Sequence, residues 1–291
     1  MPTQLTPEVV KLAYQLFFCR PPESQEMIDY SLGFGTLERL GEAFRNSLEF
    51  EITLDRRPRL VPADAPPLPP AWQTDDATAT ALLDRLRAVW RDAPAAPPAD
   101  AGAVRDPHGD MQANELVACL LRAGMNPASL PRAFEFGCGG GRVLRHLAAR
   151  FAEVAGCDLS PGRSAGVPGA APIADLRFGM TAPFDVWYSH LVLQAFPPPL
   201  IGRILERALA LLRPGGAAVF QVPTYARGYG FDPGASPQAN PMLDRHVLPQ
   251  AAVFDIAAAA GCIPAEVFED LAVPPHTLWR STVFVLRKRG G

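Results

Sequence analysis

Glu135-x-Gly137-x-Gly139-x-Gly141 places an acid two residues ahead of three alternating glycines, and Asp158 follows about 20 residues after the first glycine. Glycines at this spacing let the main chain turn tightly and bring its N–H groups close to a ligand. An acid at that distance stands where a carboxylate reaches the ribose hydroxyls of a bound nucleoside. Cys138 lies inside the turn, as a candidate nucleophile or, more simply, a small filler. Two nucleoside cofactors could use such a unit. A dinucleotide needs Gly or Ala where this chain has Arg142, because helix and strand approach closely there and a pyrophosphate must fit. Arginine does not suit that role, which weighs against a nicotinamide oxidoreductase.

The surrounding residues supply elements to hold these groups. Residues 133–136 form a short apolar run stopped by glycine, as in a buried parallel strand. Val143, Leu144, Leu147, Ala148 and Phe151 then fall at helical spacing, so the turn opens a helix. A second strand at 154–157 ends in Asp158. Residues 160–175 are rich in Gly, Pro and Ala, so the next helix is short or poorly formed. Residues 184–189 read as the fourth strand, with Ser189 and His190 at its carboxyl end. In an open parallel sheet, ligands sit there, beside the point where strand order reverses. His190 reads equally as a site histidine and as a core or capping one. A helix at 198–212 stops at Arg213-Pro214-Gly215-Gly216, and a fifth strand follows at 217–222. A loop over 223–248, long enough to suggest function, leads to a last helix at 249–260 and a strand pair at 263–268 and 281–286. Ahead of the first strand, a helix at 114–123 presents Leu116, Val117, Leu120 and Leu121 and closes at Gly124.

The acid and alternating glycines, with Asp158 and the LRPGG-strand pair, resemble the class I S-adenosylmethionine-dependent methyltransferases. The resemblance implies an α/β fold, a doubly wound Rossmann-like sheet that is mostly parallel with its last strand antiparallel. It assigns Glu135, Gly137, Cys138, Gly139 and Gly141 to the amino-acid end of S-adenosylmethionine and Asp158 to its ribose. Ser189 falls in SHLVLQAFPPP, which is similar to the segment lining the transferred methyl group. That segment often ends in Gln-His, but here Ala195 follows Gln194, so the usual histidine and any proton transfer through it are absent. QVPTYARGYGF and RHVLPQAAVFDIAAAAGC resemble a branch linked to bacterial glycan and capsule gene clusters. Tyr225, Tyr229 and Asp244 are its substrate-side candidates, and His246, then His190, the candidate bases should the acceptor be a hydroxyl. A sugar or surface-glycan intermediate is the expected acceptor. A catalytically silent scaffold is the rival reading, supported by the compressed 160–180 region and the missing histidine.

Upstream, Thr6-Pro7-Glu8 is a helix start, with Val9, Leu12, Ala13, Leu16 and Phe17 as its expected apolar face. Helices at 23–32 and at 37–50, with Leu37, Leu40, Phe44 and Leu48 inward, complete a small all-α module over residues 1–57. AYQLFFCRPPESQEMI and FRNSLEFE resemble a helical module found beside glycosyl- and methyltransferases in surface-glycan loci, which implies docking or homodimerisation, or simply a folding cap. Residues 58–108 read as a Pro/Ala-rich linker with one helix at 76–90. The methyltransferase domain is expected over 109–291.

With 48% hydrophobic and 20% charged residues, the chain is of globular composition. No apolar run reaches the roughly 18 to 20 residues of a membrane span. A net charge of −3 gives no electrostatic footprint for nucleic acid. The five cysteines (Cys19, Cys119, Cys138, Cys157, Cys262) are scattered and form no CxxC pair, which points to reduced thiols, a cytoplasmic setting and no metal site. The opening MPTQLTPEV has neither basic leader nor apolar core, so no secretory signal is expected.

Overall fold

A computed structural model describes residues 4–18, 21–45, 47, 72–91, 107–226, 229–231, 245–270 and 279–290. Contacts divide the chain into two units, Met1–Pro67 with His276–Leu278, and Leu68–Pro275 with Trp279–Gly291.

The first unit contains α1 (Pro7–Phe18), α2 (Gln25–Leu32) and α3 (Leu37–Arg45). Each begins with a hydroxyl accepting a main-chain N–H three residues on: Thr6 from Val9, Ser24 from Met27, Thr36 from Arg39. Such caps satisfy donors that have no partner inside the helix. Val10, Ala13, Tyr14, Ile28, Leu40 and Phe44 fill the core, with Tyr14 edge-on to Phe44 at 4.8 Å. Leu12, expected inward, is exposed. Val10 and Tyr14 are buried, so the apolar face is turned by about one residue from that expectation. Leu48 and the end of the expected third helix lie outside the described residues.

The second unit is built on a seven-stranded sheet: β1 (Arg132–Phe136), β2 (Glu153–Asp158), β3 (Ala170–Pro172), β4 (Phe184–Ser189), β5 (Leu212–Ala226), β6 (Cys262–Glu269) and β7 (Trp279–Lys288). Their order is β3-β2-β1-β4-β5-β7-β6. Neighbours from β3 through β5 are parallel, while β7 lies between β5 and β6, antiparallel to both. Strand order reverses between β1 and β4, which opens a crevice beyond their carboxyl ends. The helices are α4 (Asp76–Arg91), α5 (Pro107–Arg122), the single turns α6 (Leu144–Leu147) and α7 (Pro161–Ser164), α8 (Pro198–Leu211) and α9 (Gln250–Ala259).

Period-two alternation sorts the strand side chains onto two faces. Phe134, Phe136, Trp187, Phe220, Val222, Phe284 and Leu286 pack with α4, α8 and α9. Ala133, Val186, Tyr188, Val219, Val283 and Val285 pack with α5 and Leu147. By the same alternation Glu135, Gln221 and Ser281 share the α5 face. Within α5, Ala113, Leu116 and Leu120 are buried at i, i+3 and i+7, which leaves Leu121 exposed, contrary to its expected inward position.

Three elements differ from the expectation. The helix at 76–90 packs in the core of this unit through Leu82, Leu83 and Leu86, and Arg203 of α8 holds its start by donating to Thr74 O (2.6 Å) and pairing with Asp76 (2.8 Å). The helix expected over 143–151 is regular only over Leu144–Leu147 and continues as turns to Arg150. β5 extends to Ala226, claiming the first residues of the expected loop because β7 pairs with it along that length. At the opposite end of the sheet, Lys288 Nζ donates to Leu209 O (2.9 Å) and Ala260 O (2.6 Å), putting a cation on the carbonyl ends of α8 and α9.

Candidate active site

The glycine turn is anchored by hydrogen bonds to the end of β2. The N–H groups of Gly137 and Cys138 both donate to Cys157 O, and Gly139 N–H donates to Asp158 Oδ2 at 2.8 Å. Asp158 Oδ1 accepts from Ser160 N–H, also at 2.8 Å, so one carboxylate locks two loops. Burial raises its pKa, and these N–H groups partly offset the rise. Gly137, Gly139 and Gly141 all have positive φ. A Cβ at Gly137 would lie under 3.0 Å from Val192, and one at Gly141 at 2.6 Å from Val167, whereas one at Gly139 meets nothing within 4 Å. Gly139 is therefore the place where the bare main chain borders open space.

Glu135 lies on the α5 face at the end of β1, 5% exposed, and its Oε2 has no hydrogen-bond partner among the described residues. Burial pushes its pKa up to about 8; Arg142 opposes the rise and Asp158 adds to it. The Cys138 thiol is buried in the turn and pushed up to about 12, mainly by the same desolvation. A thiol so held is no nucleophile at neutral pH, which leaves the small-filler reading. Ser189 is fully buried, and its hydroxyl donates to Phe136 O at 3.2 Å, tying the ends of β4 and β1 together.

α5 reaches across the crevice. Arg142 Nη2 donates to Gln112 Oε1 at 2.6 Å, and Gln112 Nε2 lies 2.9 Å from His190 Nδ1. With its oxygen taken by Arg142, the Gln112 amide group is turned toward Nδ1, and His190 Nε2 faces Asp270 Oδ1, 3.7 Å away. The start of α5 is bolted to the α6 turn by Arg150, which pairs with Asp110 at 2.6 Å and also donates to Asn114.

Next to His190, Leu191 has φ 59°, sparsely populated for a residue with a Cβ, and its N–H donates to Gln221 Oε1 at 3.0 Å. The Gln221 amide donates to Ser281 Oγ (2.5 Å) and Gln194 Oε1 (3.2 Å); Ser281 Oγ in turn donates to Asp270 Oδ2 (3.3 Å). Gln194 O accepts from His246 N–H at 2.8 Å, which brings the other candidate histidine to the same network. His246 is buried, with Nδ1 2.9 Å from the Tyr229 hydroxyl and the Phe231 ring edge-on at 5.7 Å.

The fold thus joins Tyr229 to His246 and links both, through Gln194 and Gln221, to the residues around His190. Tyr225 is exposed and lines a cleft of ≈ 550 Å³ with Gln250, Phe268, Glu269, Arg280 and Thr282, at the ends of β5, β6 and β7. Asp244 lies outside the described residues. Gln112, Gln221 and Asp270 were not singled out from the sequence. Gln221 alone carried a signal, as the one polar residue within the apolar run 217–222. No group of three or more His, Cys, Asp or Glu that could hold a metal ion occurs among the described residues.

A glycine turn at the start of a doubly wound sheet, with acids at the ends of β1 and β2, is nucleoside-binding architecture. The chain belongs to the methyltransferase-domain family, whose model matches residues 108–262, more than half of its length. No curated protein matches it in sequence. Among solved structures it is similar to magnesium protoporphyrin IX methyltransferase from Synechocystis PCC 6803 with bound S-adenosylhomocysteine (18% identity, 73% of this chain and 97% of that one, TM-score 0.43). It is also similar to an S-adenosylmethionine-dependent methyltransferase from Clostridium acetobutylicum ATCC 824 (11%, 61% and 91%, TM-score 0.44). A third is a cyclopropane synthase from Mycobacterium tuberculosis (14%, 74% and 99%, TM-score 0.47). Among the described residues no helix is long and apolar enough to cross a membrane.

Proposed function

We propose that the chain transfers a methyl group from S-adenosylmethionine to a hydroxyl or amine of a small molecule, a sugar or surface-glycan intermediate. The observation that carries the donor assignment is the pairing of open main chain at Gly139 with a buried carboxyl oxygen on Glu135 that has no hydrogen-bond partner among the described residues. A cationic amino-acid end satisfies that oxygen, and Asp158, already oriented by two N–H groups, keeps lone pairs for ribose hydroxyls. A pyrophosphate would instead bring negative charge to two carboxyls. When bound, S-adenosylmethionine supplies an activated methyl group on a good leaving group. The chain's own task is then to align the acceptor, exclude water and hold a proton.

His246 is the proposed base. The Tyr229 hydroxyl on Nδ1 orients its ring, and the Phe231 edge keeps the surroundings apolar. His190, held between Gln112 and Asp270, is the second candidate. The glycan acceptor rests on the sequence resemblance, as does a docking or dimerising role for the α1–α3 unit, and a cytoplasmic location rests on the scattered, unpaired cysteines. Calorimetric titration of the full chain and of Asp158→Ala with S-adenosylhomocysteine tests the donor assignment. Loss of at least about tenfold in affinity is expected from a charge-assisted contact worth 1.5 to 3 kcal/mol. Unchanged affinity removes Asp158 from the site, and a wild-type chain that binds nothing favours the silent scaffold.

A further inference from the structure

Glu135 is a carboxyl group withdrawn from water at the penultimate position of β1, just before the glycine turn. From its own loop come the Leu144 N–H, the Cys138 thiol and the Arg142 guanidinium; from β2 comes Asp158, and from β4 Tyr188. α5 brings the uncharged Gln112 to Arg142 rather than to Glu135. Arg142, the only cation of the set, already spends a 2.6 Å hydrogen bond on Gln112, and Asp158 repels a second negative charge. An ionised carboxylate buried with one oxygen lacking a hydrogen-bond partner among the described residues costs several kcal/mol. One shared guanidinium does not recover that, so the acid rests neutral, consistent with its rise to about 8.

We propose that Glu135 is protonated in the ligand-free crevice, and that binding of the donor, whose amino-acid end carries an ammonium, displaces that proton to solvent. Cofactor binding and release of one proton are then a single event. The inference rests on the donor assignment above and adds the proton to it. The O–H bond of the acid breaks, the proton passes to buffer, and the carboxylate pairs with the ammonium, so the new ion pair carries no net charge. Binding weakens as pH falls below about 8, because an ever larger share of the chain must first lose the proton.

The test is calorimetric titration of the full chain with S-adenosylhomocysteine in buffers of different ionisation enthalpy at pH 7. A buffer-dependent enthalpy corresponding to nearly one proton released is expected, with affinity rising by close to tenfold between pH 6 and pH 7. In Glu135→Gln the release disappears and the affinity no longer changes across that range. Binding with a buffer-independent enthalpy overturns the proposal and leaves the donor assignment standing. Absence of binding at every pH overturns both. Release that persists in Glu135→Gln but vanishes in Asp158→Asn assigns the proton to Asp158 and also overturns it. The wild-type buffer series decides the matter even if a variant fails to fold.

Discussion

Two neighbouring glycines of the turn should respond to the same substitution in opposite ways. At Gly139, φ is +51° and an added Cβ meets nothing within 4 Å, so alanine costs only left-handed strain of about 1 to 2 kcal/mol. Stiffening of the unfolded chain returns about half of that. Gly139→Ala is therefore expected to melt within a few degrees of wild type while losing at least about tenfold in affinity for S-adenosylhomocysteine, because the new methyl group stands where the ligand approaches the main chain. At Gly137, φ is +80° and the Cβ would overlap both Cγ atoms of Val192, which follows β4. Strain and overpacking together come to about 3 kcal/mol, or about 10 °C at this size. Gly137→Ala should thus lose stability first, and Val192→Ala in the same chain should restore part of it, a coupling that a double-mutant cycle reads directly. Thermal unfolding with calorimetric titration separates the two effects. A folded Gly139→Ala chain that binds as wild type would refute the assignment of the open space to the cofactor, and equal melting of the two variants would refute the packing analysis.

Two further outcomes follow from particular contacts. With its pKa raised from 4.5 to about 8, Glu135 keeps a proton in the folded chain that the unfolded chain has lost, so it lowers stability progressively as pH rises from about 4.5 to 8. Glu135→Gln should gain on wild type across that window, by up to a few kcal/mol at pH 8; denaturant melts at pH 5 and pH 8 check it, and an equal difference at both would count against a buried neutral acid. Lys288→Met should lose about 2 kcal/mol in a urea melt through the two carbonyl oxygens left without their cation, and a loss below about 0.5 kcal/mol would show that water replaces it.

Much of the sheet was legible before any coordinate. Strands at 133–136, 154–157 and 184–189 were each found within a residue of their ends, because buried parallel strands are short apolar runs with abrupt stops. Helix faces were read less well. Leu12 and Leu121 are exposed although they fit an apolar stripe, since a 3.6-residue period tolerates a shift of one position in a helix rich in apolar residues on two sides. The helix at 76–90 was recognised, but prolines on both sides suggested a connection. Its three buried leucines could reveal a place in the core only once α8 and α9 stood beside them.

The residues alone determined the local chemistry: a tight turn built from glycines, an acid before it and an acid after the next strand. These follow from backbone sterics and from spacing along one chain. The tertiary structure decided which distant residues meet. Gln112 spans from Arg142 to His190, Asp270 faces His190 from the end of β6, and Gln221 joins the surroundings of both histidines. Those contacts bridge 30 to 80 positions and depend on the crossover between β1 and β4 and on β7 lying beside β5. No periodicity in the sequence encodes such a meeting. The protonation of Glu135 belongs to the same class, because desolvation is set by everything packed around a carboxyl group and not by its neighbours along the chain.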